Sequence, residues 1–526
     1  MAMDAERFCD GLNTQPRPSL GAVLVTGATG YVGGRLVPEL LSRGYCVQVL
    51  VRAAAPGEEA RWPGARVIAG DASDRAALKQ ALHGVHTAYY LIHSLLLGSK
   101  DFEAAEAVYA RNFRKAAEEN GVQRIIYLGG LGDVRTFLSP HLRSRTRVAE
   151  ELQSSKIVAT TVLRAAMIIG SGSSSYEILH TLVNRCPVLL LPLWTRTRCQ
   201  PIAIRDVVRY LVGVLEAPET TGASFDIGGM DVMTYEAMTR ELVGILGKRR
   251  LLLRSFVSSV RFYAYFVGLL TPVPAPIVRS LMEGLRNDVV CENRRIRDLL
   301  PFQPLSYHEA IVEAMSREEQ DAVHTRWSDS YPPAHELAIK LHELKHAPRY
   351  TATYSRPSEK KDSALFRSIC RIGGKAGWSH GNWMWRTRGA LDSLLMGVGT
   401  ARGRRSSSTL RVNDVIDFWR VESLVPGKKL LLRAEMKLPG RAWLEFRIEP
   451  EGVRKRLTLQ AYFDISSFFG HAYWYTFLPF HRYIFEQLLD QIEKRAEGSR
   501  GSDKPAPEGK QKGSAGGQVP FGQGPA

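Results

Sequence analysis

Val23-Leu24-Val25-Thr26-Gly27-Ala28-Thr29-Gly30-Tyr31-Val32-Gly33-Gly34 is the stretch whose reading decides the fold. An apolar run ends in Thr26-Gly27, and glycines follow at three-residue spacing: Gly27, Gly30 and Gly33. Residues 35–44 (RLVPELLSRG) then continue in a helical apolar pattern. Strand, tight turn and helix N-terminus in succession make the geometry that holds a dinucleotide pyrophosphate, because free backbone amides and the positive end of the helix face the phosphates. Gly27 permits the turn, Gly30 lets phosphates approach the backbone, and Gly33 lets the helix pack closely on the strand. The glycine spacing alone is a weak signal; the strand before it and the helix after it make it specific. Thr29, Tyr31 and Val32, set among the glycines, are expected to touch the same ligand.

Working outward, apolar runs alternate with helical patterns from residue 21 to about residue 246. The runs are AVLVTG, CVQVLVR, ARVIAG, TAYYLIH, RIIYLGG and TTVLRAAMIIG. This alternation predicts a parallel sheet covered on both faces, a doubly wound α/β Rossmann fold. The second run ends in Val51-Arg52, the position that faces the adenosine ribose in such folds. An acid there takes the 2′-hydroxyl of NAD; Arg52 suits a 2′-phosphate, so NADP(H) is favoured over NAD(H). Asp71 and Ala72 end the third run, where Asp71 either hydrogen-bonds the adenine amino group or caps the next helix. Leu91 and His93 end the fourth run at the carboxyl edge where ligands bind. His93 either meets the nicotinamide ribose or substrate, or caps the next segment. Residues 170–175 (GSGSSS) follow the sixth run and offer backbone amides to an anion, or form a plain loop.

The chain has 526 residues and a formal net charge of +17, so two or three domains are expected. Much of the basic excess lies in the C-terminal third. It fits an anionic partner or simply a solvated basic surface; no nucleic-acid module accompanies it. Six cysteines (9, 46, 186, 199, 291 and 370) form no CxxC pair and read as buried free thiols in a reducing, cytoplasmic setting. Residues 1–20 read as a flexible leader without a signal peptide. Residues 21–325 form the nucleotide-binding unit, with a helical substrate subdomain at 235–320. A linker follows at 326–362, a second domain at 363–497, and a disordered tail at 498–526. Residues 262–270 (FYAYFVGLL) are too short to span a bilayer and read as a buried helix, with peripheral membrane contact as the alternative.

These motifs together resemble the atypical short-chain dehydrogenase/reductases, in particular the NmrA-like branch. TGATGYVGG, GDASD, YYLIHS, RIIYLGGLG, LRAAMIIG and QPIAIRDVVRYL carry the resemblance in order over residues 21–315. It implies NAD(P) binding and oxidoreductase chemistry. One departure matters. Active members carry Tyr-x-x-x-Lys on the helix after the fifth strand, as general acid/base and ribose ligand. Here that spacing is kept by His141 and Arg145, and the usual Ser position near Gly129 or Gly130 is Gly. His141 replaces the tyrosine with Arg145 on the ribose, or the proton comes from elsewhere, or the fold binds cofactor without turnover.

The second domain resembles the START-like SRPBCC superfamily through GGKAGW, GALDSLLMGVGTARGRR, VIDFWRVE, LLLRAEMKLPGRAWLEF and YWYTFLPFHRYIFEQ. That implies an α+β helix-grip fold with an apolar cavity, lined by aromatics such as Trp419, Trp443, Phe446, Tyr473, Trp474, Tyr475 and Phe477. No residues show metal-ligand spacing. The expected function is an NADP(H)-dependent oxidoreductase acting on a hydrophobic carbonyl or alkene that the second domain helps to hold. The alternative is a non-catalytic NADP(H) redox sensor or assembly scaffold.

Overall fold

The computed structural model describes residues 7–52, 61–92, 102–132, 139–319, 325–330, 339–374, 377–378, 382–395, 397–399, 404, 409–452, 454–465 and 468–497. Strands β1 (Ala22–Thr26), β2 (Val47–Val51), β3 (Arg66–Ala69), β4 (Val85–Tyr90), β5 (Arg124–Gly130) and β6 (Ala159–Ala165) form at the apolar runs. The short β7 (Val188–Pro192) stands apart, and β8 (Ser224–Ile227) completes a seven-stranded sheet. Its order is β8-β6-β5-β4-β1-β2-β3, and every neighbouring pair is parallel. Val23, Val25, Val47 and Val49 enter one core, while Leu24 and Leu50 enter the other with Tyr90 and Phe113. Burial on both faces is why these strands read as unbroken apolar runs rather than alternating ones.

Helices α1 (Gly33–Ser42), α2 (Arg75–Ala81), α3 (Phe102–Glu119) and α4 (Pro140–Gln153) cover the sheet; α5 (Ser174–Arg185) leaves it and α6 (Ile204–Glu216) returns to it. Strand order reverses between β1 and β4, which opens a crevice at their carboxyl ends. Helices α7 (Tyr235–Ile245), α8 (Val260–Leu270) and α9 (Ala275–Gly284) form a helical layer beyond that crevice, followed by α10 (Tyr307–Glu319). This layer draws on residues before 235. Strand β9 (Leu251–Ser255) pairs in parallel with β7, and α5 packs among α7 and α8.

The second unit is a six-stranded antiparallel sheet. Its strands are β10 (Tyr350–Ser358), β11 (Val415–Ile416), β12 (Trp419–Val425), β13 (Lys429–Ala434), β14 (Gly440–Glu451) and β15 (Arg454–Ile465). They lie in the order β10-β15-β14-β13-β12-β11. Helices α11 (Asp362–Ile369), α12 (Asn382–Leu394) and the 30-residue α13 (Phe468–Glu497) accompany it. Leu365 and Ile369 of α11, Trp378, Phe418, Phe446, and Phe485, Leu488 and Ile492 of α13 share one core.

Three expectations need correction. Residues 7–20 are not a loose leader throughout. Phe8 and Cys9 are 5% and 2% exposed, and their backbone N–H groups donate to the buried Glu39 carboxylate at 2.7 and 3.2 Å. A carboxylate on α1 thus docks a segment too short in apolar residues to announce itself. The 326–362 connector is also structured in part. Pairing with β15 places all of β10 in the second sheet. Residues 325–330 rivet the two units: the Trp327 indole donates to Glu177 of α5 at 2.7 Å, while Arg420 of β12 donates to the Ser328 carbonyl at 2.6 Å. Finally, the aromatics expected to line a cavity in the second unit divide. Trp419, Trp443, Phe446 and Trp474 are buried, and the Trp443 indole donates to Glu422 at 3.0 Å, whereas Tyr475 is 63% exposed.

Among the described residues no helix is long and apolar enough to cross a membrane, and no cluster of His, Cys, Asp and Glu fits a metal. The six cysteines are unpaired, and Cys46 is exposed rather than buried.

Candidate functional site

The crevice between β1 and β4 begins at the glycine turn. Gly27 has φ +69°, and a Cβ there would sit 2.5 Å from the Leu91 carbonyl oxygen. Only glycine takes both that backbone conformation and that approach without cost. A Cβ on Gly33 would stand 2.4 Å from the Gly27 carbonyl, so the first turn of α1 lies directly on the loop. A Cβ on Gly30 would meet only that same carbonyl, at 3.2 Å, and its open side faces the cavity. Thr26 closes the floor: its hydroxyl donates to the Tyr89 carbonyl at 2.8 Å and accepts from the Leu91 N–H at 3.3 Å. The N-cap of α1, Val32, supplies no side-chain cap; the Gly34 and Arg35 N–H groups donate to the Gly30 and Val32 carbonyls at 3.0 and 3.1 Å, and the positive end of the helix faces the turn.

The turn is the end of one cavity of about 1080 Å³. Every described residue expected to bind cofactor lies on its wall: Gly27, Thr29, Gly30, Tyr31, Val32, Gly33, Arg52, Asp71, Ala72 and Leu91. Arg52 is exposed at the end of β2. Asp71 does not cap α2; Asp74 does, accepting from the Ala76 N–H, while the Asp71 carboxylate accepts from the Ser73 N–H at 2.8 Å. Among residues 170–175, Ser173, Ser174 and Ser175 line the cavity. His93 lies outside the described residues.

His141 and Arg145 both reach this cavity, one turn apart on α4. Ser139 caps that helix by accepting from the Leu142 N–H at 3.3 Å, which fixes where its first turn begins. His141 is half-buried in that turn. The Arg145 guanidinium lies 3.4 Å from the buried Tyr127 hydroxyl and donates to the Leu128 carbonyl at 3.5 Å. Burial alone would lower the Arg145 pKa; Tyr127 and Glu106 beside it raise it overall, so the site keeps a fixed positive charge. A Cβ at Gly130, the superfamily's serine region, would come within 3.0 Å of Leu142.

Beyond α4 the cavity becomes an apolar chamber. Leu182, Leu189, Leu191, Val267, Ile277 and Leu281 form much of its wall. Two polar atoms interrupt it. Among the described residues neither the Trp194 indole N–H nor the Tyr263 hydroxyl has a hydrogen-bond partner, although both residues are buried at 9% and 7% exposure. Their rings meet edge to face at 5.7 Å. Lys340, Glu343, Asn413, Arg420 and Arg433 also line the cavity; Arg420 donates to the Asp329 carbonyl, and the Asp329 carboxylate lies 3.7 Å from Arg61 beside the glycine turn, so the second unit closes part of that side.

Several of these residues carried no signal in the sequence. Tyr109 of α3 lines the cavity beside the α4 pair, and Trp194 sits in LPLWT, a run without a motif. Arg61 donates to the Thr29 carbonyl at 3.3 Å and so stands as a second cation at the glycine turn. Arg35 follows the last glycine of the motif and looks like a surface cation. It is 5% exposed and donates to the Tyr31, Ser171 and Thr325 carbonyls, which locks the turn to the 170–175 loop and the interdomain segment.

Comparison with known proteins agrees with this geometry. Residues 20–238 match the NmrA-like family, and residues 345–488 match a family described as a protein of unknown function (DUF2867). A putative dihydroflavonol 4-reductase of Synechocystis sp. is 31% identical over 113 residues, 21% of this chain and 33% of that protein. The chloroplastic divinyl chlorophyllide a 8-vinyl-reductase of Oryza sativa subsp. indica is 26% identical over 226 residues, covering 40% and 55%. The ceramide reductase of Caulobacter vibrioides is 26% identical over 237 residues, covering 44% and 73%. The chain thus spans about half or less of the length of the first two relatives. Among solved structures, the triphenylmethane reductase of Citrobacter sp. overlays with a TM-score of 0.47 at 17% identity, covering 56% of this chain and 99% of that one. Over residues 20–238 the chain therefore matches the NmrA-like family, and that match supports a nicotinamide cofactor in the glycine-lined crevice.

Proposed function

We propose that this protein is an NADP(H)-dependent oxidoreductase, cytoplasmic in location, that reduces a hydrophobic carbonyl or conjugated alkene. The observation that carries this reading is the continuity of the cavity: one space of about 1080 Å³ runs from the glycine turn, past His141 and Arg145, into the apolar chamber. The turn, the uncapped start of α1 and Asp71 are suited to hold a dinucleotide, and Arg52 to hold a 2′-phosphate, with Arg61 close by. A reduced nicotinamide bound there supplies a hydride to an electrophilic carbon.

The chain's own groups supply the rest. The chamber wall excludes water and takes the apolar body of the substrate. The Trp194 N–H and the Tyr263 hydroxyl receive a substrate oxygen, since leaving such atoms buried and unpaired costs about 1–3 kcal/mol each. His141 delivers the proton that balances the hydride, to the carbonyl oxygen or to the α-carbon of an alkene. Arg145 stabilises the negative charge that develops there. The names of two relatives, a ceramide reductase and a divinyl chlorophyllide reductase, fit an apolar substrate. We read the C-terminal unit as a START-like helix-grip domain, on the strength of its antiparallel sheet and the long helix α13, and assign it the closing of the cavity on the side of the glycine turn.

A second reading has one observation in its favour. Arg145, where active relatives have lysine, is engaged with Tyr127 and the Leu128 carbonyl. That arrangement suits a sensor that binds NADP(H) without turnover. Two experiments separate the readings. NADPH oxidation should appear with at least one member of a panel of apolar ketones, enones and quinones; none at all, despite tight NADPH binding, selects the sensor. His141→Phe should abolish that turnover and spare NADPH affinity. On cofactor choice, Arg52→Ala should weaken NADPH by roughly tenfold, the loss of about 1.4 kcal/mol, and leave NADH unchanged. Equal loss of both would remove Arg52 from the 2′-phosphate.

A further inference from the structure

Helix α8 is apolar on both sides. Val260, Tyr263, Ala264 and Val267 are buried, and Tyr263 and Val267 face the chamber. Its outer side presents Phe262, Phe266 and Leu270, each more than 40% exposed. The Phe262 and Phe266 rings pack at a tilt, with centroids 4.7 Å apart. Beyond Arg261 in its first turn the helix bears no charge; a helix this apolar belongs inside a core or against lipid, and here only one side has a core. Just before it, Phe256 is fully exposed and Leu251 and Leu253 project from β9.

The same surface continues onto the second unit. The Tyr265 hydroxyl lies 3.5 Å from the Leu394 carbonyl of α12, and Leu394 and Leu395 are 55% and 58% exposed. Lys437 donates to the Leu395 carbonyl at 2.7 Å. Gly470 packs against the nearby Pro439 carbonyl, which brings in the start of α13, where Phe468 and Phe469 are 81% and 75% exposed. Charge follows the same path. Residues 242–282 contain no Asp or Glu but hold Lys248, Arg249, Arg250, Arg254, Arg261 and Arg279, and residues 465–485 are also free of acids. Arg279 pairs with Glu283 at 2.9 Å and Arg250 donates to the Val183 and Asn184 carbonyls, which leaves Lys248, Arg249, Arg254 and Arg261 beside the exposed aromatics, the chemistry of a surface that enters an anionic lipid interface. Single exposed apolar residues need no explanation, but a continuous patch does.

We propose that this face, built from the outer side of α8, the β9 region, the end of α12 and the start of α13, docks on an anionic lipid bilayer. The bilayer then lies against the helix whose inner side walls the chamber. Docking itself does not depend on the oxidoreductase reading, since it needs no turnover.

The test is co-sedimentation of the full-length protein with vesicles of phosphatidylcholine mixed with phosphatidylglycerol, and with phosphatidylcholine alone. The expected result is binding to the anionic vesicles at low salt, weakened by high salt, and much less binding to phosphatidylcholine. Phe262→Ser with Phe266→Ser should weaken it at least about tenfold, as should Phe468→Ser with Phe469→Ser on the other unit. The second pair keeps the test valid if the first lowers stability. No binding to anionic vesicles, equal binding to both compositions, or unchanged binding by both pairs would overturn the proposal. So would a dimer in sedimentation velocity that the Phe pairs convert to monomer without any vesicle binding, because the face would then belong to a second copy of the chain.

Discussion

The two sheets of this protein solve opposite problems. The parallel sheet leaves a crevice where its strand order reverses, and that crevice continues into a chamber with unpaired polar atoms on its wall. The antiparallel sheet has its inner space filled by Trp378, Phe418, Phe446, Phe485 and Leu488, and two of its buried indoles are paired with carboxylates: Trp378 with Asp417 at 2.7 Å and Trp443 with Glu422 at 3.0 Å. Two other indoles of that core, Trp385 and Trp419, have no hydrogen-bond partner among the described residues, so what separates it from the chamber is its filled interior and not the pairing of its polar atoms. The difference teaches that the second unit acts on the site from outside, by lending Arg420, Arg433 and Asn413 to its rim, while the chamber itself is built by the first unit.

The sharpest way to break that comparison is at the glycine turn. Gly33→Ala places a methyl group 2.4 Å from the Gly27 carbonyl. Moving α1 away costs up to about 3 kcal/mol of stability, so the thermal midpoint should fall, and dinucleotide affinity should fall as well because the helix end leaves its place at the turn. Gly30→Ala should weaken NADPH with a smaller fall in the midpoint than Gly33→Ala, because its Cβ would meet one carbonyl, at 3.2 Å, and otherwise points where phosphate would lie. If calorimetry shows wild-type NADPH affinity for Gly30→Ala, the crevice is not the pyrophosphate seat.

The joint between the sheets offers a second break of comparable size. Arg420 is 2% exposed, pairs with the buried Glu435, and donates to the Ser328, Asp329 and Asn413 carbonyls. Arg420→Ala leaves the buried Glu435 carboxylate with the more distant Arg433, at 3.7 Å, and removes the bonds to three carbonyls, a loss of about 3 kcal/mol. Urea unfolding should therefore shift markedly, and the rim of the cavity should loosen with it. Full stability in this variant would mean that residues 325–330 do not couple the two units.

Much of the first unit was legible because a buried parallel sheet writes itself as apolar runs punctuated by glycine. All six runs became strands, although the last divides at Ala166-Met167 into β6 and a two-residue strand at Ile168–Ile169. The seventh strand, Ser224-Phe225-Asp226-Ile227, was not legible: it is four residues long, and Asp226 interrupts it. The cofactor wall could be read because its residues sit at strand ends, where backbone topology fixes their place. The chamber could not. Trp194 and Tyr263 are far apart in sequence and meet only when α8 folds over β7, so no local spacing encodes their contact. Arg35 and Arg420 illustrate the same limit, since a buried arginine is indistinguishable in sequence from a solvated one until its carbonyl partners, Thr325 for the one and Ser328 for the other, arrive from distant segments.

The smallest effect tests the dryness of the second core. His481 of α13 lies between Trp474 and Phe485, with ring centroids 5.5 Å from each, and its Nδ1 has no partner. Burial lowers its pKa from 6.5 to about 4. The unfolded chain then binds a proton that the folded chain refuses over that interval. Stability is therefore full above pH 6.5 and declines as pH falls toward 4, by about 3 kcal/mol if nothing relaxes. Below pH 4 this contribution changes no further. His481→Phe keeps the stacked ring and removes the titrating nitrogen, so its denaturant midpoint should not show this decline. Parallel acid profiles for the two proteins would place His481 in contact with water and open the second sheet's interior to the same kind of ligand space as the first.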